Sequence, residues 1–371
     1  MSSTPHTART AKRPSSLVDR TTPFIFNCWY VAGFADEIGR TLLARTILGR
    51  PLVLYRTEAG TPVAMDDRCI HRSFPLSRSL LDGDTIVCGY HGMRYDCAGR
   101  CVEVPSQKHT PQGLGVRAYK MVERGPLVWI WMGDAAADES QIPDIGHWTC
   151  DPRWISSQGY IPLKASYIAL HENLLDLSHL SFLHRNSFGT PDYAKAPFRV
   201  EMDEERGRFA LLRDVLPTRL PPIWAKPTGL EGVDAARIVR SEFYGPSLHV
   251  VQVAFYGLDV PEAERPDYMV RTAHLVTPET ATTTHYFLYH ARNFALDMPG
   301  ITEFMHENLF KAFEEDRDGL EAVESMIAAC GGAVPEISFT ADRANLAMRR
   351  YLKRRTEAEA ATSNECAGAT V

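Results

Sequence analysis

The segment 171–184, HENLLDLSHLSFLH, most constrains how this chain can fold. It sets four polar residues, Asn173, Asp176, His179 and His184, into an almost continuous run of leucine and phenylalanine. Apolar side chains surround the axis when the segment is drawn as a helix, so the sequence predicts a buried helix. Buried ionisable groups are destabilising without partners. Metal ligation would satisfy them, and one carboxylate from elsewhere would complete the two-histidine facial triad that holds non-haem iron.

The spacing of the two histidines conflicts with a regular helix. His179 and His184 are five residues apart, which separates their side chains by about 140° around a helix axis. A π-bulge or an unwound turn would bring the imidazoles together, and such irregularities are frequent at functional sites. The sequence therefore predicts a break in helical geometry within the segment.

Length and charge limit the class of protein. A chain of 371 residues predicts two domains of ordinary size. The net charge of −6 argues against a nucleic-acid partner. No apolar run approaches the roughly 18 residues of a membrane span, and the first 20 residues lack the apolar core of a signal peptide. We expect a cytoplasmic protein without a membrane partner.

The pattern of elements predicts an α+β fold. Residues 1–23 are polar and predict a flexible arm, whereas residues 24–140 contain short β-type runs separated by Gly, Asp and Pro turns, typical of a small antiparallel β domain. Residues 141–355 predict a larger domain with an antiparallel sheet framed by helices, one containing residues 167–184 and a long one over about 302–329. Residues 356–371 are predicted as a tail.

A second metal motif lies in the N-terminal domain. Cys69, His71, Cys88 and His91 have the spacing C-x-H-x16-C-x2-H, with each half in a loop after a strand. Two thiolates and two imidazoles could hold a structural zinc ion. They could equally hold a [2Fe–2S] cluster with two Cys on one iron and two His on the other. The spacing leaves both interpretations open.

Helical periodicity is needed to identify the third ligand of the first site. In the predicted helix over 302–329, apolar residues run through Leu309, Phe313, Leu320, Val323 and Ile327, and the same spacing places Asp316 on this inward face. Glu314, Glu315 and Asp318 are predicted to point away from it. An inward acid on an apolar face is either a ligand or paired with an arginine. We predict that Asp316 is the ligand.

Two segments resemble the signatures of Rieske non-haem iron oxygenases. RCIHRSFPLS with VCGYHGMRYD resembles the Rieske signature, and HENLLDLSHLSFLH resembles the mononuclear-iron signature, in the expected order. The resemblance covers about residues 24–330. It implies a [2Fe–2S] cluster on Cys69, His71, Cys88 and His91, and Fe(II) on His179, His184 and Asp316. Met93 departs from the aromatic residue that many members carry there.

The same resemblance implies a mechanism. A separate reductase or ferredoxin would supply electrons, which would pass from His91 through Asp176 to His179 of a neighbouring subunit in a head-to-tail homotrimer. Asp176 would also accept the N–H of His179, and Asn173 would line the site. Cys97 and Cys101 are not needed as ligands.

The resemblance favours oxidative O- or N-dealkylation of a small aromatic compound with O2. Ring dihydroxylation is the alternative within enzymes, and a Rieske electron-transfer protein without catalytic iron is the alternative from another class. Four further residues could line a substrate pocket, although their spacing does not indicate it. They are Trp224, Phe243, Tyr286 and Asn293. Three other histidines, His249, His285 and His290, are expected to be satisfied or surface residues.

Overall fold

The computed structural model describes residues 24–145, 150–332 and 335–368, with side chains through residue 362. The predicted arm over residues 1–23 lies outside this part of the chain. The described residues form 18 strands in four sheets, together with four α-helices. A smaller β domain precedes a larger domain of one sheet and helices. The predicted α+β fold class is therefore confirmed.

Short strands build the N-terminal domain. They are β1 (Trp29–Phe34), β2 (Leu43–Ile47), β3 (Arg50–Arg56), β4 (Pro62–Asp66), β5 (Leu80–Asp82), β6 (Thr85–Val87), β7 (Arg94–Tyr95), β8 (Cys101–Glu103), β9 (Ala118–Tyr119), β10 (Met121–Arg124) and β11 (Leu127–Trp131). Their sheets have the orders β1-β11-β10, β2-β3-β4-β9 and β5-β6-β7-β8. Gly49 and Gly83 sit in the hairpin turns at positive φ, 72° and 54°, a conformation that glycine adopts without steric cost.

Seven longer strands build the sheet of the second domain. They are β12 (Ile155–Leu163), β13 (Phe198–Asp203), β14 (Arg208–Thr218), β15 (Ala235–Gly245), β16 (Leu248–Gly257), β17 (Tyr268–Thr280) and β18 (Thr283–Arg292). The order is β12-β18-β17-β16-β15-β14-β13, and each adjacent pair is antiparallel. One face packs on the N-terminal domain, where Trp29 and Trp129 join Leu248 and Phe287 in a common core.

Four helices accompany this sheet: α1 (Tyr167–Leu175), α2 (Pro222–Thr228), α3 (Ile301–Ala329) and α4 (Arg343–Gly368). Helix α3 matches the predicted long helix. Its buried residues follow helical spacing from Ile301 through Leu309 and Phe313 to Asp316, so the first half of α3 packs inward. Val323 is 46% exposed, and the inward face ends before the predicted seam does. Within the described residues, no helix is long and apolar enough to cross a membrane.

The segment 171–184 is not one buried helix, which corrects the prediction. Helix α1 ends at Leu175 because Asp176 adopts an extended conformation, with φ −119° and ψ 93°. The Asp176 carboxylate accepts the N–H of Ser178 and so starts a 3₁₀-helix over Leu177–Ser181. Phe182, beyond that turn, is 72% exposed. The predicted unwound turn is confirmed, whereas continuous helical burial is wrong.

The C-terminal helix extends into the segment predicted as a tail. Helix α4 continues through residues 356–368. The Glu359 carboxylate accepts the backbone N–H groups of Phe26 at 2.8 Å and Asn27 at 3.1 Å. This contact ties α4 to the start of the N-terminal domain.

Candidate metal centres and substrate cleft

Two matching loops present the cysteine and histidine of each half of the first motif. The N–H of Cys69 donates to the carbonyl of Phe74 at 2.9 Å, and that of Cys88 donates to Met93 at 2.8 Å. Four residues after each cysteine, Ser73 and Gly92 have positive φ, 57° and 74°. The same tight backbone path therefore occurs twice, as two halves of one site require.

The structure brings the four predicted residues of this motif together. Cys69 and Cys88 are buried in the same apolar core. His71 and His91 are exposed, with ring centroids 4.6 Å apart. Two buried thiols behind two exposed imidazoles fit a [2Fe–2S] cluster whose thiolate-bound iron lies inside and whose histidine-bound iron lies at the surface.

The surroundings of the thiols fit the same cluster. The hydroxyl of Tyr95 lies 3.1 Å from Cys69 Sγ, and hydrogen bonds to ligand sulfur are a means of tuning the potential of such a cluster. Met93 packs in the same apolar core as both thiols. Cys97 and Cys101 are free thiols that contact the carbonyls of Asp84 and Glu103, at 3.4 and 3.5 Å.

The second site gathers His179, His184 and Asp316. One potential ligand atom from each lies within 4.8 Å of the others. Asp316 Oδ1 is 3.1 Å from His184 Nε2 and 3.4 Å from His179 Nε2. The 3₁₀-helix supplies His179, the following turn supplies His184, and the buried face of α3 supplies Asp316. Two imidazoles and one carboxylate converging on one point are the donor set of a non-haem iron site.

The electrostatics of this site favour a bound cation. Burial raises the pKa of Asp316, but the hydrogen bonds from His179 and His184 outweigh it and hold that pKa well below its ordinary value. Burial lowers the pKa of His184, but Asp316 and Glu315 outweigh it, so the net shift is upward. The carboxylates thus place negative charge beside the imidazoles. A divalent cation bound there would replace the histidine protons and interact with this negative charge.

Glu315 contacts the site, contrary to the prediction that it points away. Its carboxylate accepts from His184 Nδ1 at 2.8 Å and from the Ser187 hydroxyl at 2.7 Å. Consecutive helical side chains diverge by about 100°, so Glu315 leaves the inward face yet reaches the flank of the His184 ring. A carboxylate on the far nitrogen of a metal-binding histidine fixes its tautomer and orientation.

Asp176 holds His179, although through a different group from the one predicted. The main-chain carbonyl of Asp176 accepts from His179 Nδ1 at 2.7 Å, while its carboxylate accepts from the Ser178 N–H at 2.9 Å. Asn173 lines the cleft beside the site, and its Nδ2 donates to Asp316 Oδ1 at 3.0 Å. Both residues therefore support the triad.

A narrow cleft with a cavity volume of about 60 Å³ opens beside the triad. Of the four residues that the sequence analysis considered for a substrate pocket, Trp224 lines the cleft. Phe243, Tyr286 and Asn293 are not among its lining residues. Arg237 and His274 line it as well and were missed, since only the strand order reveals which sheet residues face α3. The three other histidines considered in the sequence analysis are buried and hydrogen-bonded away from the triad: His249 to Ser241, His285 to Tyr160 and Thr46, and His290 to Thr272.

A Rieske-type cysteine–histidine site, followed by a buried centre of two histidines and one aspartate beside an apolar cleft, defines an iron-dependent oxygenase. Comparison with known families supports this. Residues 28–120 match the family described as the Rieske [2Fe–2S] domain, and residues 163–358 match the vanillate O-demethylase oxygenase C-terminal domain.

Several known proteins are similar in sequence to most of this chain. The iron–sulfur subunit of a toluene-4-sulfonate monooxygenase system from Comamonas testosteroni is 37% identical over 89% of this chain and 96% of that protein. The oxygenase component of dicamba O-demethylase from Stenotrophomonas maltophilia is 33% identical, over 91% and 99%. A crystal structure of dicamba monooxygenase with non-haem iron and dicamba has a TM-score of 0.76 at 30% identity, covering 92% and 99% of the two chains.

The chain belongs to the Rieske non-haem iron oxygenases, among the oxygenase components similar to vanillate and dicamba O-demethylases. The predicted family, enzyme class and cofactors are confirmed: it is an O2-dependent oxidoreductase that uses a [2Fe–2S] cluster and mononuclear iron. The Rieske match also decides against zinc in the first motif.

Proposed function

We propose that Cys69, His71, Cys88 and His91 hold the [2Fe–2S] cluster and that His179, His184 and Asp316 hold the iron. The observation that carries this proposal is the convergence of the three buried or half-buried side chains, within 4.8 Å, in the wall of a cleft. Bound iron would supply O2 activation. The chain's own residues bind and orient the substrate and exclude water, since the cleft wall is mainly valine, leucine and aromatic rings.

The reaction that we propose is hydroxylation of an alkyl carbon on an aromatic compound, leading to O- or N-dealkylation. One oxygen atom of O2 enters a C–H bond, and two electrons and two protons reduce the other atom to water. The hydroxylated carbon forms a hemiacetal or a carbinolamine, which collapses to an aldehyde and the phenol or amine. The similarity to dicamba O-demethylase supports this reaction. Ring dihydroxylation is the second candidate.

Electrons for this reaction would come from a separate reductase or ferredoxin. His91, a proposed cluster ligand, is exposed, so a partner or a second subunit can approach it. We propose that the electrons pass from His91 of one subunit to Asp176 and His179 of the next in a head-to-tail trimer. We also propose a cytoplasmic location, where thiols stay reduced, because no disulfide joins the cysteines whose side chains the structure describes.

Metal counting and product detection test the proposed function. The purified enzyme should contain about three irons per chain, two in the cluster and one at the triad. With a surrogate reductase and O2, methoxylated benzoates or N-alkyl anilides should release an aldehyde. The Asp316→Asn variant should retain two irons per chain and should release no aldehyde. Two irons per wild-type chain, or zinc, would contradict the assignment, and a cis-diol product would favour ring dihydroxylation.

A further inference from the structure

The cleft wall is mostly apolar and holds a few polar groups. Alternate residues of three neighbouring strands line it: Val239, Val251, Val253 and Val270. The triad lines the cleft, and so does Arg237, which lies on the same face of β15 as Val239 and two residues before it. An aromatic ring packed on the valines would therefore share the cleft with both the iron site and a guanidinium.

Arg237 is a buried cation with little to neutralise it. It is 2% exposed, and its Nη1 donates to the carbonyl of Phe188 at 3.0 Å. Its Nε is buried without a hydrogen-bond partner, and its guanidinium lies 5.1 Å from the Tyr193 ring. Burial lowers the pKa of Arg237, although Tyr193 and Asp192 oppose that shift. Uncompensated burial of charge is unfavourable, and an anion entering the cleft would relieve it.

A second unpartnered donor, the Trp224 indole, belongs to the same cleft wall. The indole Nε1 of Trp224 is buried without a partner, and the Trp224 ring lies 6.4 Å from Phe188. The Arg237 guanidinium lies 5.7 Å from the same Phe188 ring, which stacks at 4.7 Å on the proposed ligand His184. The two unpartnered donors thus lie near one aromatic side chain, which also stacks on a proposed iron ligand.

Arg213 shows that burial of an arginine alone does not make a ligand site. It lies on β14, is 1% exposed and also has an unpartnered Nε. Its Nη1, however, is near three carbonyls, those of Tyr193, Ala194 and Ala196, and Arg213 does not line the cleft. Arg213 therefore has a structural role, while Arg237 faces the space that a substrate would occupy.

We infer that Arg237, assisted by the Trp224 N–H, binds an anionic group of the aromatic substrate, a carboxylate or a sulfonate, and sets its alkyl carbon toward the iron. This inference rests on the proposed function and deepens it by naming the substrate class. A guanidinium binds oxyanions, carboxylates and tetrahedral anions alike, through charge-assisted hydrogen bonds that a neutral amide group on the substrate would not form. The substrates are then anionic arenes that carry an oxidisable alkyl substituent.

Calorimetric binding to the iron-loaded full-length enzyme, without reductase, tests the inference. The probes are two matched pairs: toluene-4-sulfonate with toluene-4-sulfonamide, and 4-methoxybenzoate with 4-methoxybenzamide. At least one anion should bind about ten- to a hundredfold more tightly than its amide, the range expected for hydrogen bonds to a charged partner. The pair with the larger ratio identifies sulfonate or carboxylate. Equal affinities within both pairs, or no anion binding at millimolar concentration, would overturn it.

Substitutions of Arg237 and Arg213 test which residue causes the preference for anions. Arg237→Gln should weaken binding of the preferred anion by about ten- to a hundredfold and leave amide binding unchanged, and Arg237→Lys should restore part of the loss. Arg213→Gln, the matched control, should leave both affinities near those of the wild type. Equal weakening of anion and amide by Arg237→Gln would contradict the subsite. If that variant does not fold, the wild-type ratios decide alone.

Failure of this subsite differs from failure of the proposed function. If the anions bind through Arg237 but no oxygenated product or aldehyde forms with reductase and O2, the subsite stands and the reaction is wrong. If products form equally from the anions and the amides, the reaction stands and the subsite is wrong.

Discussion

At the residue scale, each proposed iron ligand is held by a hydrogen bond from a different source. A main-chain carbonyl at Asp176 orients His179, the Glu315 carboxylate orients His184, and the Asn173 amide holds Asp316. The Cys and His motifs and the periodicity of α3 predicted the gathered residues. The contact of Glu315 with His184 could not be predicted. Helical periodicity distinguishes inward from outward positions, but it does not show that an outward side chain contacts a neighbouring ring.

Removal of the Glu315 carboxylate should loosen the mononuclear iron. We expect Glu315→Ala to lower the affinity of the triad for Fe(II) by about ten- to a hundredfold, since the His184 ring loses its orienting acceptor. Iron retained after dialysis against a chelator measures this, and the absorbance of the cluster should not change. Glu314→Ala is the control, because Glu314 is more than half exposed and pairs with Arg317. Equal iron loss in both variants would contradict the role of Glu315.

At the element scale, the site depends on an interruption of helix after Leu175. The five-residue spacing of the histidines predicted an interruption, but the apolar pattern concealed its place and form. Two contacts that the apolar pattern does not show set the path of the chain. The Ser178 N–H donates to the Asp176 carboxylate, and the Gly189 N–H donates to the His184 carbonyl at 2.9 Å, where the chain turns back tightly. A single sequence does not reveal that residues 180 and 189 come together.

Gly189 provides a test of this return. A Cβ at position 189 would lie 1.7 Å from the Leu180 carbonyl oxygen, a backbone atom that cannot turn aside as a side chain can. We expect Gly189→Ala to displace the turn that carries His184, to lower the free energy of unfolding by about 1–3 kcal/mol, and to release the mononuclear iron. Gly39→Ala, with no atom within 4 Å of its Cβ, is the control. Denaturant unfolding and iron analysis give the result, and wild-type values for Gly189→Ala would refute the argument.

At the scale of the whole molecule, the two proposed metal sites belong to different domains. The groove at the proposed cluster ligands His71 and His91 is lined by residues of the N-terminal domain, and it shares no lining residue with the cleft. The sequence predicted both domains from the order of strand-like and helical runs. It could not predict how clusters and irons pair across an assembly, because that depends on surfaces of separate subunits.

Mixing two inactive variants tests electron transfer between subunits. Asp176→Asn should keep both metals, since Asn caps a helix as well as Asp does, yet abolish turnover. His91→Ala should remove the electron-donating site. If electrons pass head to tail, trimers reassembled from an equal mixture should recover roughly a quarter of wild-type aldehyde release, because about one interface in four pairs an intact cluster with an intact Asp176. Sedimentation establishes that mixed trimers form, each variant alone is the control, and inactivity of the mixed trimers would rule out the intersubunit path.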